Sequence, residues 1–173
     1  MLYKVNSKLV ISTSRKPTQI TRRFAQFLKH YFNASYINRG KSSFKKIVNQ
    51  AINDENELLL IITETKGNPS SINIYDLEKD SENPRINVYI TVSLPKDNNK
   101  INTDSSSIVF INKARKLDDL FTNYEIFKSD EKIKSNCIVI EDYEDEMFKA
   151  SFIDKKGLDT NFKVYIKGFK LED

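Results

Sequence analysis

Two short segments in the first quarter of the chain place cations next to residues that begin helices. Ser14-Arg15-Lys16 stands between an apolar run and a proline, and Asn38-Arg39-Gly40-Lys41 stands before a pair of serines. A helix N-terminus presents free backbone N–H groups and a partial positive charge, which suit phosphate oxygens. Arginine adds a planar fork that binds phosphate through two hydrogen bonds, and glycine permits close approach of a backbone. These residue types therefore indicate phosphate binding.

The helices that follow these two turns carry further cations. If the turns lie at adjacent strand ends, they form one phosphate-binding surface together with those cations. The candidate nucleic-acid-binding residues are Ser14, Arg15, Lys16, Arg22, Lys29, Asn38, Arg39, Gly40, Lys41, Lys45 and Lys46. The alternative for any single lysine is that it belongs to a solvated helix face.

The charge of the chain is distributed very unevenly. The 173 residues include 28 Lys and Arg against 24 Asp and Glu, a net charge of +4. Residues 1–53 contain eleven of the basic residues and no Asp or Glu, which leaves a net charge of −7 for residues 54–173. A basic segment of this kind indicates a polyanionic partner, either nucleic acid or a membrane surface.

Hydrophobic periodicity predicts an α/β fold for the first half of the chain. Leu9-Val10-Ile11 has the pattern of a buried strand, and Pro17 is typical of the first turn of a helix. The predicted buried side of that helix is Ile20, Phe24, Phe27, Leu28 and Tyr31. The predicted buried side of a second helix, capped by Ser42 or Ser43, is Phe44, Ile47, Val48, Ala51 and Ile52. With strands at 34–37, 58–65, 72–77 and 86–92, the predicted order is β-α-β-α-β-β-β.

A polar segment divides the chain into two predicted halves. Residues 95–106 lack periodicity and are predicted to link an N-terminal half, residues 1–94, to a C-terminal half, residues 107–173. The second half begins with a strand at 108–111, a basic turn and a helix that includes Leu117 and Phe127, and three strands follow. Because this opening repeats the first half, we expect two related β-α-β layered halves, the second shorter.

Other groups of residues in the sequence can be compared with the residue patterns of alternative functions. The acidic run at 141–146 could bind a divalent ion, as in a metal-dependent ribonuclease, although a solvated loop between strands is the usual occupant of such a position. His30 and Cys137 fit ordinary packing positions. Lys66-Gly67-Asn68-Pro69 fits a hairpin turn, with a nucleic-acid contact at that turn as the alternative. A third possibility is a protein-interaction module whose basic face docks an acidic partner. The sequence contains no phosphate-binding loop or dinucleotide motif, so no cofactor is expected.

Composition narrows the class of protein further. The single cysteine excludes a disulfide framework within the chain, and no apolar run approaches the ~20 residues of a membrane span. The first ten residues do not have the pattern of a secretory signal. We therefore expect a soluble, cytoplasmic protein that does not associate with a membrane.

The N-terminal half resembles the Brix-domain family of ribosome-biogenesis proteins, in its compact archaeal form. The resemblance rests on the segment Thr13 to Thr18, on Phe24-Ala25 and Leu28, on Asn38 to Lys41, and on the hairpin Lys66 to Pro69. These motifs occur at family-like spacing over about residues 9–94.

The resemblance implies a non-catalytic factor that binds pre-ribosomal RNA and acts in its processing, in small-subunit assembly. It also implies two α/β halves similar to the anticodon-binding domain of class II aminoacyl-tRNA synthetases. Ribosome-assembly proteins would be further partners, and a eukaryotic source would place the protein in the nucleolus.

Overall fold

The computed structural model describes residues 2–4, 8–97, 100–103, 107–114 and 136–172. The chain forms two compact units, which we call the N-terminal unit (Asn6–Thr91 with Gly168–Asp173) and the C-terminal unit (Val92–Lys167 with Met1–Val5). The division therefore differs from a cut at one linker, because each unit takes a terminal segment from the other end of the chain. The predicted helix that includes Leu117 and Phe127 lies outside the described residues.

The N-terminal unit is a five-stranded mixed sheet with two helices. Its elements are β2 (Leu9–Thr13), α1 (Gln19–Phe32), β3 (Ser35–Tyr36), α2 (Phe44–Asn53), β4 (Leu58–Thr65), β5 (Asn68–Asp76) and β6 (Ile86–Ser93, of which residues 86–91 belong to this unit). The strand order is β6-β5-β4-β2-β3. Strand β2 is parallel to both neighbours, while the pairs β4–β5 and β5–β6 are antiparallel. The predicted element order for this half is confirmed.

The two helices contact opposite faces of this sheet. The cluster of buried residues under α2 includes Val10, Leu59 and Ile61, which lie on one face of β2 and β4. Ile11 and Ile62 are fully buried on the other face, where α1 contacts the sheet. Because β2 and β4 are covered on both sides, their sequences are nearly continuous apolar runs rather than alternating ones.

Helix α1 begins later than predicted. Pro17 precedes the helix, and Thr18 is the N-cap residue, whose side chain accepts a hydrogen bond from the Thr21 N–H. The prediction that Ile20 lies in the core is wrong, since its side chain is 44% exposed. Thr21 is buried in its place, because its hydroxyl donates a hydrogen bond to the Glu64 carboxylate (2.6 Å).

Helix α2 follows its prediction with one exception. Ser43 caps the helix and accepts a hydrogen bond from the Lys46 N–H (3.2 Å). Ile52, predicted to be buried, is 45% exposed because it lies in the last turn, at the margin of the stripe formed by Ile47, Val48 and Ala51. Within the described parts of the chain, no helix is long and apolar enough to cross a membrane.

The C-terminal unit contains a second mixed sheet in the order β1-β7-β8-β9-β10. Its strands are β1 (Leu2–Lys4), β7 (Ser107–Asn112), β8 (Asn136–Asp142), β9 (Phe148–Ile153) and β10 (Asp159–Leu171, of which residues 159–167 belong to this unit). Strands β7 and β8 are parallel, and the other pairs are antiparallel. Strand β1 was not predicted from the sequence.

The hairpin between β4 and β5 turns through two residues, Lys66 and Gly67, as the hairpin interpretation of this motif predicts. Both have positive φ, 51° and 79°, which is the type I′ geometry that suits the twist of a two-residue hairpin. A methyl group at Gly67 would meet Thr18 Cγ2 at 3.3 Å, so this turn packs directly on the start of α1.

Replacement of Gly67 by alanine should therefore destabilise the protein by about 1–2 kcal/mol, because an L-residue is strained at this φ, with a further cost from the Thr18 contact. Urea unfolding measures the change. Gly157→Ala is the matched control, since Gly157 has a φ of 80° but no atom within 4 Å of the added methyl. Equal losses at both positions would show that the Thr18 contact contributes nothing.

Candidate nucleic-acid interface

Three turns lie at one edge of the N-terminal sheet. Strands β2, β3 and β4 are parallel, so their carboxyl ends meet at the same edge. The first turn (residues 14–18) follows β2, the second turn (residues 37–43) follows β3, and the hairpin turn (Lys66-Gly67) follows β4. The first two are the turns in which the sequence predicts phosphate binding, and the structure brings them together.

Backbone hydrogen bonds fix these turns to one another. The Lys16 N–H donates to the Gly40 carbonyl (3.1 Å), and the Ser14 N–H donates to the Ile62 carbonyl (2.9 Å). Lys16 and Gly40 both adopt positive φ, 50° and 48°, at the point where the two turns meet. The conformation that favours glycine at position 40 is therefore required for this junction.

Arg39 lies inside the junction rather than on its surface. The residue is 7% exposed, and its guanidinium donates from Nε to the Ser42 carbonyl (2.8 Å) and from Nη1 to the Thr13 carbonyl (2.9 Å). Burial lowers the pKa of Arg39, and the nearby positive charge of Arg15 lowers it further. Arg39 therefore ties the end of β2 to the segment before α2.

The other cations of the two turns point outward. In the described part of the chain, none of their side chains forms an ion pair. The exposed candidates at this edge are Arg15, Lys16, Asn38, Gly40, Lys41, Lys45 and Lys46, and Ser14 is half-buried beside them. We call Arg15, Lys16, Lys41, Lys45 and Lys66 the basic edge; Lys66, on the hairpin turn, is also exposed.

A carboxylate occupies the N-terminus of α1. Glu64 accepts hydrogen bonds from the Thr18 N–H (3.1 Å), the Thr18 hydroxyl (2.5 Å) and the Thr21 hydroxyl (2.6 Å). Desolvation would raise the pKa of Glu64, but these hydrogen bonds outweigh it and lower the pKa. The α1 terminus is thus neutralised internally by a carboxylate from β4. Neither helix has an acidic residue in its own first turn, and α2 is capped by the uncharged Ser43 hydroxyl.

Two predicted candidates lie on α1 itself. Arg22 is exposed near the start of the helix, where its charge contributes to the lowered pKa of Glu64. Burial raises the pKa of Tyr36, and the charge of Arg22 opposes that rise. Lys29 is half-buried and lies two helical turns further on, about 10 Å along the axis. Arg22 is therefore close to the three turns, and Lys29 is not brought to them.

Sequence reasoning missed three residues of this edge, namely Thr18, Glu64 and Lys66. Thr18 precedes the helical stripe, which is the usual position of a capping threonine. Glu64 interrupts an apolar strand two residues before the hairpin turn, and an acidic residue in that position was the available signal. Lys66 belongs to the hairpin motif, for which the sequence offers a nucleic-acid contact only as the alternative to a plain turn.

The acidic run is part of the C-terminal unit. Glu141, the last residue but one of β8, forms an ion pair with Lys149 (3.5 Å), while Glu144–Glu146 form a single 3-10 turn. Among the described side chains, no group of three or more His, Cys, Asp or Glu is arranged to hold a metal ion. Within those residues, the ligand geometry that the ribonuclease alternative requires is not seen.

The fold and this edge define a class of protein, a mixed α/β protein with a basic turn cluster. Known proteins are similar to this chain in sequence or in fold. A probable Brix domain-containing ribosomal biogenesis protein of Archaeoglobus fulgidus is 41% identical over 105 residues, 61% of this chain and 61% of that protein. A protein of the same name from Methanothermobacter thermautotrophicus is 26% identical over 163 residues, 94% of this chain and 99% of its own. No family model matches the chain.

Solved structures show the same fold. An archaeal Imp4-like protein superposes with a TM-score of 0.74 at 24% identity, covering 95% of this chain and 99% of that one. A probable ribosomal biogenesis protein from Aeropyrum pernix K1 gives a TM-score of 0.68 at 19% identity, covering 93% and 96%.

These similarities confirm the resemblance to the Brix-domain proteins, since the chain is similar in sequence to archaeal proteins named as probable Brix domain-containing ribosomal biogenesis proteins. The match to the Archaeoglobus protein spans 61% of that protein's length.

Replacement of Arg39 by alanine should destabilise the protein by about 2–3 kcal/mol, because two buried carbonyl oxygens lose charge-assisted hydrogen bonds. Urea unfolding at neutral pH measures the loss. The exposed Lys41→Ala should change stability by less than about 0.5 kcal/mol. A loss for Arg39→Ala as small as that for Lys41→Ala would contradict the bridging role of the guanidinium.

The Glu64 carboxylate should make stability depend on pH. Because its folded pKa is lowered, its contribution is present above the unfolded pKa, about 4.3, and is lost as pH falls through the folded pKa. The difference in unfolding free energy between the native protein and Glu64→Gln should be constant near neutrality and shrink toward pH 3. A difference that is the same at pH 3 and pH 7 would contradict the capping role.

Proposed function

We propose that this protein is a non-catalytic RNA-binding factor that assists pre-ribosomal RNA processing and ribosome biogenesis, in small-subunit assembly. The observation that carries the proposal is the basic edge, where three turns present Arg15, Lys16, Lys41, Lys45 and Lys66 with no ion-pair partner in the described residues. Cations arranged in this way attract a phosphate backbone, which supplies affinity and positions the ligand.

The exposed residues of the basic edge would contact the RNA directly, whereas the buried Arg39 would not. Arg15 can hold a phosphate with its fork, and Lys41 and Lys45 add point charges beside the uncompensated N-terminus of α2. Arg39 would act indirectly, since its donors are already used by Ser42 and Thr13. Asn38, exposed in the second turn, can add a hydrogen bond to a base or a ribose.

The names of the relatives supply the biological setting. Two curated relatives are named as ribosomal biogenesis proteins, and one structural neighbour is described as Imp4-like. The RNA, the assembly step and the cytoplasmic location are our proposals for this chain. Ribosome-assembly proteins would be its further partners.

We also propose that the two units descend from one duplicated half, as in anticodon-binding-like folds. In each unit a parallel strand pair is followed by two antiparallel neighbours: β2–β4, β5 and β6 in one, β7–β8, β9 and β10 in the other. A shared order of strand pairing supports a common origin of the two units.

The double variant Arg15→Glu with Lys41→Glu should lower affinity for small-subunit precursor rRNA by at least tenfold. It should also reduce the slope of log affinity against log salt by about 1.5, since two phosphate contacts are lost. Filter binding at several salt concentrations measures both quantities. Lys41 is preferred to Arg39 because Arg39 is buried and its loss would disturb the fold.

The matched control is Lys155→Glu with Lys156→Glu, which makes the same change in net charge at two exposed lysines of the C-terminal unit. Equal losses of RNA affinity in the two double variants would show that binding depends only on the net charge of the protein. Unchanged affinity in Arg15→Glu with Lys41→Glu would exclude the basic edge as the binding site. Co-purification of an acidic protein that survives ribonuclease treatment would favour protein docking instead.

A further inference from the structure

The sheet of the N-terminal unit carries a polar surface that the proposed phosphate contacts leave unused. Thr63 on β4 lies opposite Ser71 on β5, which lies opposite Tyr89 on β6. One pair further along, Asn73 lies opposite Asn87. Residues that are directly opposite on neighbouring strands project from the same face. We call Thr63, Ser71, Asn73, Asn87 and Tyr89 the polar sheet face.

This is the face on which α2 packs, beyond the area that the helix covers. Leu59, Ile61 and Tyr75 lie on the same face of β4 and β5 as the polar residues and belong to the cluster under α2. Towards β6 the apolar residues give way to hydroxyl and amide groups. Tyr89 is 46% exposed, and Thr91, next on the same face of β6, is also exposed.

Hydrogen bonds hold the inner part of the polar sheet face in a defined arrangement. The hydroxyls of Thr63 and Ser71 are 2.5 Å apart, and the Ser71 hydroxyl donates to Asn73 Oδ1 (3.1 Å). Tyr75 follows Asn73 on the same face of β5, and its ring packs on Phe44 with centroids 5.0 Å apart. The surface is therefore preorganised, which reduces the entropy lost when a ligand binds.

The polar sheet face adjoins the basic edge, because the Thr63–Ser71 pair lies at the end of β4 and β5 that leads into the hairpin turn. Tyr75 lies close enough to Arg39 for each to alter the pKa of the other, and Arg39 is the residue that joins the two phosphate-binding turns. No carboxylate lies on this face among the described residues of β5 and β6. A polyanion held at the edge would meet no acidic residue on these two strands as it continued across the polar sheet face.

We propose that the polar sheet face binds the bases of unpaired nucleotides whose phosphates are held at the basic edge, with Tyr89 as a stacking platform and Asn73 and Asn87 as hydrogen-bonding groups. The inference rests on the proposed function and narrows its ligand to single-stranded RNA. Bases in a duplex are stacked on each other, whereas unpaired bases stack on aromatic side chains and expose their edges to amides.

Tyr89→Ala should weaken binding of a ~12-nucleotide single-stranded RNA by about tenfold, equivalent to about 1.4 kcal/mol, which lies within the range for base–aromatic stacking. Binding of an RNA duplex of the same length should be unchanged. Tyr89→Phe keeps the ring and should retain affinity within about twofold. Because Tyr89 carries no charge, the salt slope should stay that of the native protein. Tyr143→Ala is the matched control, since Tyr143 is a similarly exposed tyrosine (39%) of the C-terminal unit.

Three outcomes would overturn the inference: native single-strand affinity in Tyr89→Ala, an equal loss for duplex and single strand, or an equal loss in Tyr143→Ala. If any of these appears while Arg15→Glu with Lys41→Glu still weakens binding, the basic edge stands and only the polar sheet face is excluded. If the native protein binds neither RNA, both proposals fail. If Tyr89→Ala instead releases a co-purifying protein and leaves RNA binding intact, the face is a protein-docking surface.

Discussion

The carbonyl oxygens of Thr13 and Ser42 both accept hydrogen bonds from the guanidinium of Arg39, which is almost completely buried. One belongs to the end of β2 and the other to the segment that leads into α2. Taking a charge out of water is costly unless its hydrogen bonds are made, so this arrangement holds the two segments at a fixed separation. The direction in which the outward cations project depends on it.

The basic edge combines this inner cation with outer ones. Burial and the nearby positive charge of Arg15 both lower the pKa of Arg39, and an anion bound at this edge would interact favourably with both charges. Glu64 limits where that anion can bind, because its carboxylate already occupies the start of α1. The charge left for a ligand is therefore concentrated around the second turn and α2.

Much of the N-terminal unit could be predicted from the sequence, and the exceptions have physical causes. Apolar periodicity located α1, α2 and β4, because each buries a regular stripe or run. Apolar periodicity could not show that Thr21 is buried and Ile20 is exposed. A buried threonine requires a hydrogen-bond partner, and that partner, Glu64, is distant in the sequence. Arg39 was also predicted to be a surface residue, because an arginine that bonds to backbone carbonyls has the same local sequence as one that binds phosphate.

The central claim is that RNA contacts the three turns at the carboxyl ends of β2, β3 and β4. Backbone amide chemical shifts, recorded by NMR while a short fragment of small-subunit precursor rRNA is added, test it directly. We predict that the largest chemical-shift changes fall at residues 14–18, 38–46 and 66–67. Changes confined to residues 107–172, with the three turns unaffected, would contradict it.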